Sequence, residues 1–311
     1  MPKLLRTAAV ALLLTVFAAH AAPAPRDRVD AVADAIAANY FDPARGKTIA
    51  DDLRRDADTG TFDTLQPQAL ADALTARLRP LDRHFRVRWD GDASPPRVPV
   101  GPRRPPQAPA NHGIAKVEML PGEVGHLRLD QFAHFEFDDA DAPARRAIDD
   151  ALAKLSGSRA MIVDLRGCRG GSPSMVGYLA SAFLAPGADV YNTFHTRTRT
   201  MSEAPAIPYA TPRTQVPLYV LVDGGTGSAA ESFAYTLQNA KRATIVGERS
   251  AGAANPGAMI DVGEGFTVFV SDGSPVNPIT RTNWEATGVA PDVAAISADA
   301  LDAALRLARA R

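Results

Sequence analysis

The sequence predicts an α/β fold in which parallel strands alternate with helices. Two stretches, 160–184 and 218–240, support this prediction, because each runs from a short apolar segment through a glycine-rich turn into a helical pattern. When a further strand follows such a unit, the helix is the crossover connection that joins two parallel strands. Sites in such layers lie at the carboxyl ends of the strands, so we expect the two glycine-rich turns to share one cleft.

The composition is that of a globular protein. The 311 residues are 46% hydrophobic and 22% charged, and the formal net charge of −1 gives no reason to expect nucleic acid or an anionic membrane as a partner. The single cysteine excludes an intramolecular disulfide. We expect no metal and no cofactor, because the scattered histidines show no metal-ligand spacing: His112, His126, His134 and His195.

Residues 1–21 have the pattern of a signal peptide. Lys3 and Arg6 precede an apolar run at 8–18 that is too short to span a bilayer as a stable helix. Ala19-His20-Ala21 then fits the small-x-small rule for cleavage. We therefore expect an exported protein, in the periplasm or the medium, with no membrane attachment after cleavage.

Residues 22–89 are predicted to form a small helical N-terminal domain. Apolar residues recur at helical spacing in 27–41, 49–56 and 68–78, and the pattern alternates as in a strand from His84 onward. Residues 90–113 are rich in proline and arginine, which is typical of an extended linker.

Residues 114–311 are predicted to form the α/β core. In addition to the two crossover units, the patterns indicate strands at 114–120, 124–129 and 243–246, a helix at 140–155, a hairpin at 258–270 and a final helix at 299–308.

Ser228 stands at the start of the helix in the second crossover unit. Backbone N–H groups and the helix dipole at that place favour a developing negative charge. Ser228-Ala-Ala-Glu231 is also a Ser-x-x-Glu capping box. From these residues alone, Ser228 is therefore either a helix cap or a nucleophile.

Four motifs, in order along the chain, resemble those of the C-terminal processing (tail-specific) serine peptidases. The similarity is greatest to the branch related to the tricorn protease core and to the interphotoreceptor retinoid-binding protein. It implies a ClpP/crotonase-like α/β core. The motifs are Asp-Arg-His at 82–84, Asp-Leu-Arg-Gly-Cys-Arg-Gly-Gly at 164–171, Gly-Ser-Ala-Ala-Glu at 227–231, and Trp-Glu-Ala-Thr-Gly-Val-Ala-Pro-Asp at 284–292.

The resemblance implies that Ser228 is the nucleophile, His84 the general base and Glu285 the acidic residue that supports the site. These residue types suit the roles. A serine hydroxyl needs a base within hydrogen-bond reach, a histidine titrates near neutral pH, and a carboxylate can fix the tautomer and stabilise the imidazolium.

The resemblance also implies an oxyanion hole formed by the N–H of Ala229 and that of Gly170 or Gly171. Each such donor is worth roughly 3–4 kcal/mol in other acyl-transfer enzymes.

The sequence departs from the family pattern at several places. The processing proteases proper use a Ser/Lys dyad, but residues 247–254 have alanine where that lysine would fall, which favours the histidine-dependent mechanism. Cys168 replaces an asparagine, Ala286 a glycine, and Arg83 a serine. The stretch between His84 and residue 114 is too short for a PDZ domain, so we expect none.

Together these observations predict an exported serine-type peptidase that cleaves peptides or unfolded proteins through an acyl-enzyme on Ser228. Two alternatives remain open. One is a non-catalytic protein that binds an apolar ligand or a peptide on the same fold, and the other is a hydrolase of a non-peptide ester or amide. The sequence does not indicate the oligomeric state.

Overall fold

The structure, a computed structural model, describes residues 25–91 and 110–310. The predicted signal peptide and residues 92–109 of the predicted linker lie outside these residues. None of the helices in the described ranges is long and apolar enough to cross a membrane.

Helices in the described residues are α1 (Pro25–Asn39), α2 (Pro43–Asp58), α3 (Pro67–Leu78), α4 (Pro143–Lys154), α5 (Pro173–Ser181), α6 (Ala229–Asn239) and α7 (Ala300–Arg309). The strands are β1 (Arg86–Trp89), β2 (Ile114–Leu120), β3 (Val124–Leu129), β4 (Ala160–Asp164), β5 (Thr193–Thr196), β6 (Thr200–Ser202), β7 (Leu218–Val222), β8 (Thr244–Gly247), β9 (Gly257–Gly263), β10 (Phe266–Ser271), β11 (Gly273–Val276) and β12 (Val293–Ala294).

The central sheet has six strands in the order β12-β8-β7-β4-β3-β2. Neighbouring strands from β3 to β12 are parallel, and only β2 pairs antiparallel with its neighbour β3. Strands β4 and β7 are buried along their whole length, as the continuous apolar runs in the sequence indicate. The predicted α/β class is therefore confirmed.

Helices cover both faces of this sheet. On one face, Val163 of β4 belongs to a large core that includes Ile148 of α4, Leu179 of α5 and Phe233 of α6. On the other face, Ile162 of β4 packs in a smaller core with residues of α7. The two faces follow from the alternation of side chains along a strand.

A separate apolar core joins the N-terminal helices to a hairpin from late in the chain. Leu53 of α2 and Leu74 of α3 pack with Phe85 and with Val268 of β10. Strand β1 pairs antiparallel with β10, which pairs with β9. The N-terminal unit is thereby fixed to a segment of the second predicted domain, while the division of the chain at residues 89 and 114 stays a prediction.

The predicted helices and longer strands all occur, within three residues of their expected ends, except that α2 begins six residues before the predicted start at residue 49. Strand β1 begins at Arg86, because Arg83 and His84 form a turn and Phe85 lies between this turn and the strand. The sequence patterns did not indicate β5, β6, β11 and β12, which have only two to four residues each. Segments this short carry too little periodicity to be recognised.

Candidate active site

Ser228 lies between strand β7 and helix α6, at the point where a tight turn ends. Ser228 is the N-cap of α6, and its backbone has φ 55° and ψ −122°, a conformation that non-glycine residues rarely adopt and that differs from the extended backbone usual at an N-cap. The residue is exposed. Its N–H donates to Oε2 of Glu231 at 2.9 Å, which is the glutamate half of the predicted capping box. A strained, exposed serine is a feature of functional sites rather than of simple helix caps.

The two glycine-rich turns lie together and are hydrogen-bonded to each other. The sequence predicts that they meet, because they follow neighbouring parallel strands. Oδ1 of Asp223, at the end of β7, accepts the N–H of Gly167 at 2.9 Å. In return, the N–H of Gly227 donates to the carbonyl of Cys168 at 2.9 Å. These bonds fix the turn that carries Ser228 against the turn after β4.

Gly170 lies directly against Ser228. A Cβ added to Gly170, whose φ is 108°, would lie 2.7 Å from Ser228 Cβ and 2.8 Å from the nitrogen of Ala229. A Cβ on Gly171 would instead lie 2.0 Å from the carbonyl oxygen of Phe132. The first glycine thus allows close approach to Ser228, and the second allows close approach to the neighbouring main chain.

Two of the amides proposed for the oxyanion hole differ in their surroundings. In the described part of the chain, the N–H of Ala229 donates to no protein acceptor. The N–H of Gly170 interacts with the sulfur of Cys168, a weak acceptor. Burial raises the pKa of the Cys168 thiol to about 11, partly opposed by that N–H. Cys168 is therefore a packed thiol.

His84 lies in the turn before β1, with its Nδ1 atom between two carboxylates. Oδ1 of Asp82 is 3.3 Å from Nδ1 and also accepts the backbone N–H of His84 at 2.9 Å. Oε1 of Glu285 is likewise 3.3 Å from Nδ1. The structure thus brings together the predicted base and the predicted acidic residue, which lie near opposite ends of the chain.

Asp82 is a member of this group that the sequence analysis treated only as part of an Asp-x-His turn. Its side chain is 2% exposed, and Oδ2 accepts the hydroxyl groups of Ser271 at 2.8 Å and Tyr40 at 3.2 Å. Burial by itself would raise the pKa of Asp82, but its hydrogen bonds to His84 and Ser271 lower it below the ordinary value. The spacing of Asp82 and His84 was the available signal for this role.

The charge state of His84 follows from its surroundings. Burial by itself lowers the pKa of the imidazole, but the interactions with Asp82 and Glu285 outweigh burial and raise it to about 9. At neutral pH the ring is therefore mostly protonated.

Residues 252–255 connect the Ser228 side of the site to the His84 side. The first two N–H groups of this segment donate to the two carboxylate oxygens of Glu231, at 2.6 and 2.9 Å. The last two donate to Oε2 of Glu285, at 2.9 and 3.0 Å. Because consecutive residues are about 3.8 Å apart along the chain, the two carboxylates lie within about 10 Å of each other.

Ser228 and His84 are not directly hydrogen-bonded in the described structure. Such bonds are often long in free enzymes and shorten only in the complex with substrate. Glu285 thus lies beside His84, and Gly170 and Ala229 lie beside Ser228. The roles of all six predicted site residues stay predictions.

Two of the departures from the family pattern contact each other. The guanidinium of Arg83 donates to the carbonyl oxygen of Ala286 at 2.9 Å. Ala286 has φ 62°, a conformation that explains why the family pattern has glycine there. This contact links the turn of His84 to the loop of Glu285.

Glu231 is a further residue whose role the sequence analysis did not foresee. It is fully buried, and it accepts bonds from Ser228 N, Ser250 Oγ and the N–H groups of residues 252 and 253. The capping-box pattern identified only the first of these bonds, since the others come from residues about twenty positions away.

Residues 123–295, more than half of the chain, match the sequence profile of peptidase family S41. The chain belongs to this family. A carboxy-terminal-processing protease of Bartonella bacilliformis is 30% identical over 174 residues, which are 55% of this chain and 38% of that protein. A carboxyl-terminal-processing protease of Synechocystis sp. is 31% identical over 157 residues, 50% of this chain and 34% of that protein. The matched region thus spans little more than a third of the length of these relatives.

Solved structures of the S41 fold cover most of the chain. A putative peptidase from Parabacteroides merdae has a TM-score of 0.66 at 19% identity, covering 92% of this chain and 97% of that one. The photosystem II D1 C-terminal processing protease has a TM-score of 0.52 at 18% identity, covering 88% and 93%. At these identities the similarity establishes the fold.

Proposed function

We propose that this S41 chain is a serine peptidase that forms an acyl-enzyme on Ser228, with His84 as the general base. The observation that supports this proposal best is the segment 252–255. Its N–H groups donate to the carboxylate of Glu231, on the Ser228 side, and to the carboxylate of Glu285, on the His84 side. The two sides of the site are therefore held at a fixed separation.

The orientation of His84 determines which nitrogen exchanges the proton. Nδ1 faces Asp82 and Glu285, so Nε2 on the opposite side of the ring is the atom that accepts a proton. Oγ of Ser228 attacks the substrate carbonyl carbon as its proton passes to Nε2. Nε2 then returns that proton to the leaving amine, and the two carboxylates stabilise the imidazolium between these steps.

The tetrahedral oxygen formed in this step needs hydrogen-bond donors. The N–H of Ala229, at the N-terminus of α6, has no protein acceptor in the described structure and is suited to this role. The second donor comes from Gly170 or Gly171, of which Gly170 is packed against Ser228.

The substrates in this proposal are peptides or unfolded proteins, cleaved outside the cytoplasm. Two observations support this: the chain belongs to a peptidase family, and residues 1–21 have a signal-peptide pattern.

Hydrolysis of an unfolded protein tests this proposal. Purified protein is incubated with a reduced, alkylated polypeptide at pH 9, and new N-termini are counted by mass spectrometry. We expect cleavage by the wild type and by Ser156→Ala, which changes an exposed serine far along the chain, and none by Ser228→Ala. Cleavage by a folded Ser228→Ala variant, or none by folded wild type, would contradict it.

A second candidate function is the binding of an apolar ligand. A cavity of about 370 Å³ beyond the C-terminus of α5 is lined mostly by proline, alanine and tyrosine, including Tyr191, Tyr209 and Pro278. Its size suits a small apolar molecule. Co-purified lipid in this cavity, together with no cleavage in the assay above, would favour this candidate.

A further inference from the structure

Three potential metal ligands meet at the side of His84 that faces away from its proposed catalytic nitrogen. They are Nδ1 of His84 and one carboxylate oxygen each from Asp82 and Glu285, and all three atoms lie within 4.8 Å of one another. The side chains are 20%, 2% and 18% exposed, so the group is shielded while remaining accessible to a small ion.

The two measured separations exceed those of ordinary charge-assisted hydrogen bonds. Both carboxylate oxygens are 3.3 Å from Nδ1, whereas a histidinium–carboxylate bond is typically about 2.7–2.9 Å long. Ligand atoms of a tetrahedral Zn²⁺ ion, with bonds of about 2.0–2.2 Å, lie about 3.3–3.5 Å apart. The spacing therefore matches two edges of a tetrahedral zinc site.

One proton satisfies this arrangement poorly. The single Nδ1–H would have to be shared between two oxygens, both 3.3 Å away, which leaves each bond long. Oε1 of Glu285 is accordingly buried without a hydrogen-bond partner in the described structure. Asn255, which is 8% exposed and whose Nδ2 donates to Asp82 at 3.4 Å, also has a buried Oδ1 that finds no partner among the described residues. Unpaired buried oxygens next to a histidine are a chemical reason to expect a cation.

We propose that Asp82, His84 and Glu285 bind a divalent transition-metal ion such as Zn²⁺, and that the bound ion switches the peptidase off. The ion takes the place of the proton on Nδ1, so the neutral imidazole keeps its remaining proton on Nε2. An Nε2 that already carries a proton cannot accept one from Ser228. A fourth coordination position stays open to water, as is usual for zinc with three protein ligands.

Metal binding in this proposal does not depend on Ser228, whereas inhibition rests on the proposed peptidase function. Binding is therefore measured separately from activity. Apo protein prepared with chelator is titrated with Zn²⁺ alone by calorimetry, and Co²⁺ is added in parallel because four-coordinate Co²⁺ absorbs more strongly in the visible than six-coordinate Co²⁺.

We expect one ion per chain and four-coordinate Co²⁺ bands in both the wild type and Ser228→Ala. Glu285→Gln and Asp82→Asn should each weaken Zn²⁺ binding more than tenfold, with the folded state checked by circular dichroism. His134→Gln is the matched control, since His134 is an exposed histidine 3.2 Å from a single carboxylate, that of Glu136. This control should bind like the wild type.

The outcomes separate the two proposals. Zn²⁺ binding at the site, in a protein that cleaves no substrate even when chelator keeps it metal-free, would support the metal site and contradict the peptidase function. Absence of binding to the wild type, or unchanged affinity in both folded variants, would overturn the metal site. Cleavage that continues at saturating Zn²⁺ would overturn the inhibitory role.

Discussion

The Ser228 side and the His84 side of the candidate site are built in different ways. Ser228 is positioned by two glycine-rich turns at the ends of adjacent parallel strands, where backbone hydrogen bonds fix the geometry. His84 belongs to the N-terminal unit, and its partner Glu285 comes from near the C-terminus. The proposed nucleophile is thus positioned by neighbouring turns of the α/β layer. The position of the proposed base depends on packing between segments that lie far apart in the sequence.

The largest expected effect comes from removing the base while leaving the Ser228 side intact. His84→Ala should lower kcat by about 10⁴-fold or more, because the serine hydroxyl loses its proton acceptor. Peptide cleavage and thermal melting are measured together, with His134→Ala as the control that should retain activity. Activity within tenfold of the wild type would show that another group acts as base.

The converse change disturbs the Ser228 side alone. Gly170→Ala should lower kcat by about 10²- to 10³-fold, because the added methyl group would press on Ser228 Cβ and on the amide of Ala229. Gly224→Ala is the matched control in the neighbouring turn, since a Cβ there would meet no atom of the described residues within 4 Å. Equal activity of the two variants would argue against an oxyanion hole at Gly170.

The pH dependence of kcat/KM reports on the His84 side. With the His84 pKa raised to about 9, the fraction of neutral imidazole should increase about 50-fold between pH 7 and pH 9. The rate, measured with chelator present, should rise accordingly. Asp82→Asn removes one of the charges that raise this pKa, so its profile should move to lower pH. A wild-type profile that is flat above pH 7 contradicts this account.

The smallest expected effect concerns Glu203, which is buried beside α6. Its Oε2 accepts Ser232 Oγ at 2.6 Å and Asn192 Nδ2 at 3.0 Å, while Oε1 has no partner among the described residues. Burial raises the pKa of Glu203 to about 7, although the bonds from Ser232 and Asn192 lower it in part. The folded state therefore binds this proton more tightly than the unfolded chain does.

Stability from Glu203 should be fully present below the unfolded pKa near 4.5 and should be lost as pH rises through about 7. The loss amounts to roughly 3 kcal/mol at most. Glu203→Gln should remove this part of the pH dependence, so the variant should unfold at higher urea concentration than the wild type at pH 8 but not at pH 4. The same difference at both pH values would show that Glu203 is not protonated in the folded protein.

The two sides of the site also differ in how far the sequence could predict them. Ser228 and the glycines at 170 and 171 lie in turns that follow recognisable apolar strands, so their meeting follows from strand order. No local pattern places Glu285 beside His84, and that pairing came from resemblance alone. The bonds of Glu231 and Asp82 to distant residues could not be predicted, because they depend on how loops fold over the sheet.

Labelling with a fluorophosphonate, followed by peptide mapping, tests the central claim most directly. A fluorophosphonate phosphonylates a serine, with loss of fluoride, much faster when a neighbouring base activates the hydroxyl. We expect one adduct per chain, located on Ser228, whose rate of formation increases toward pH 9 and falls sharply in His84→Ala. An adduct at another serine, or labelling of Ser228 at the same rate without His84, would contradict the assignment of this pair.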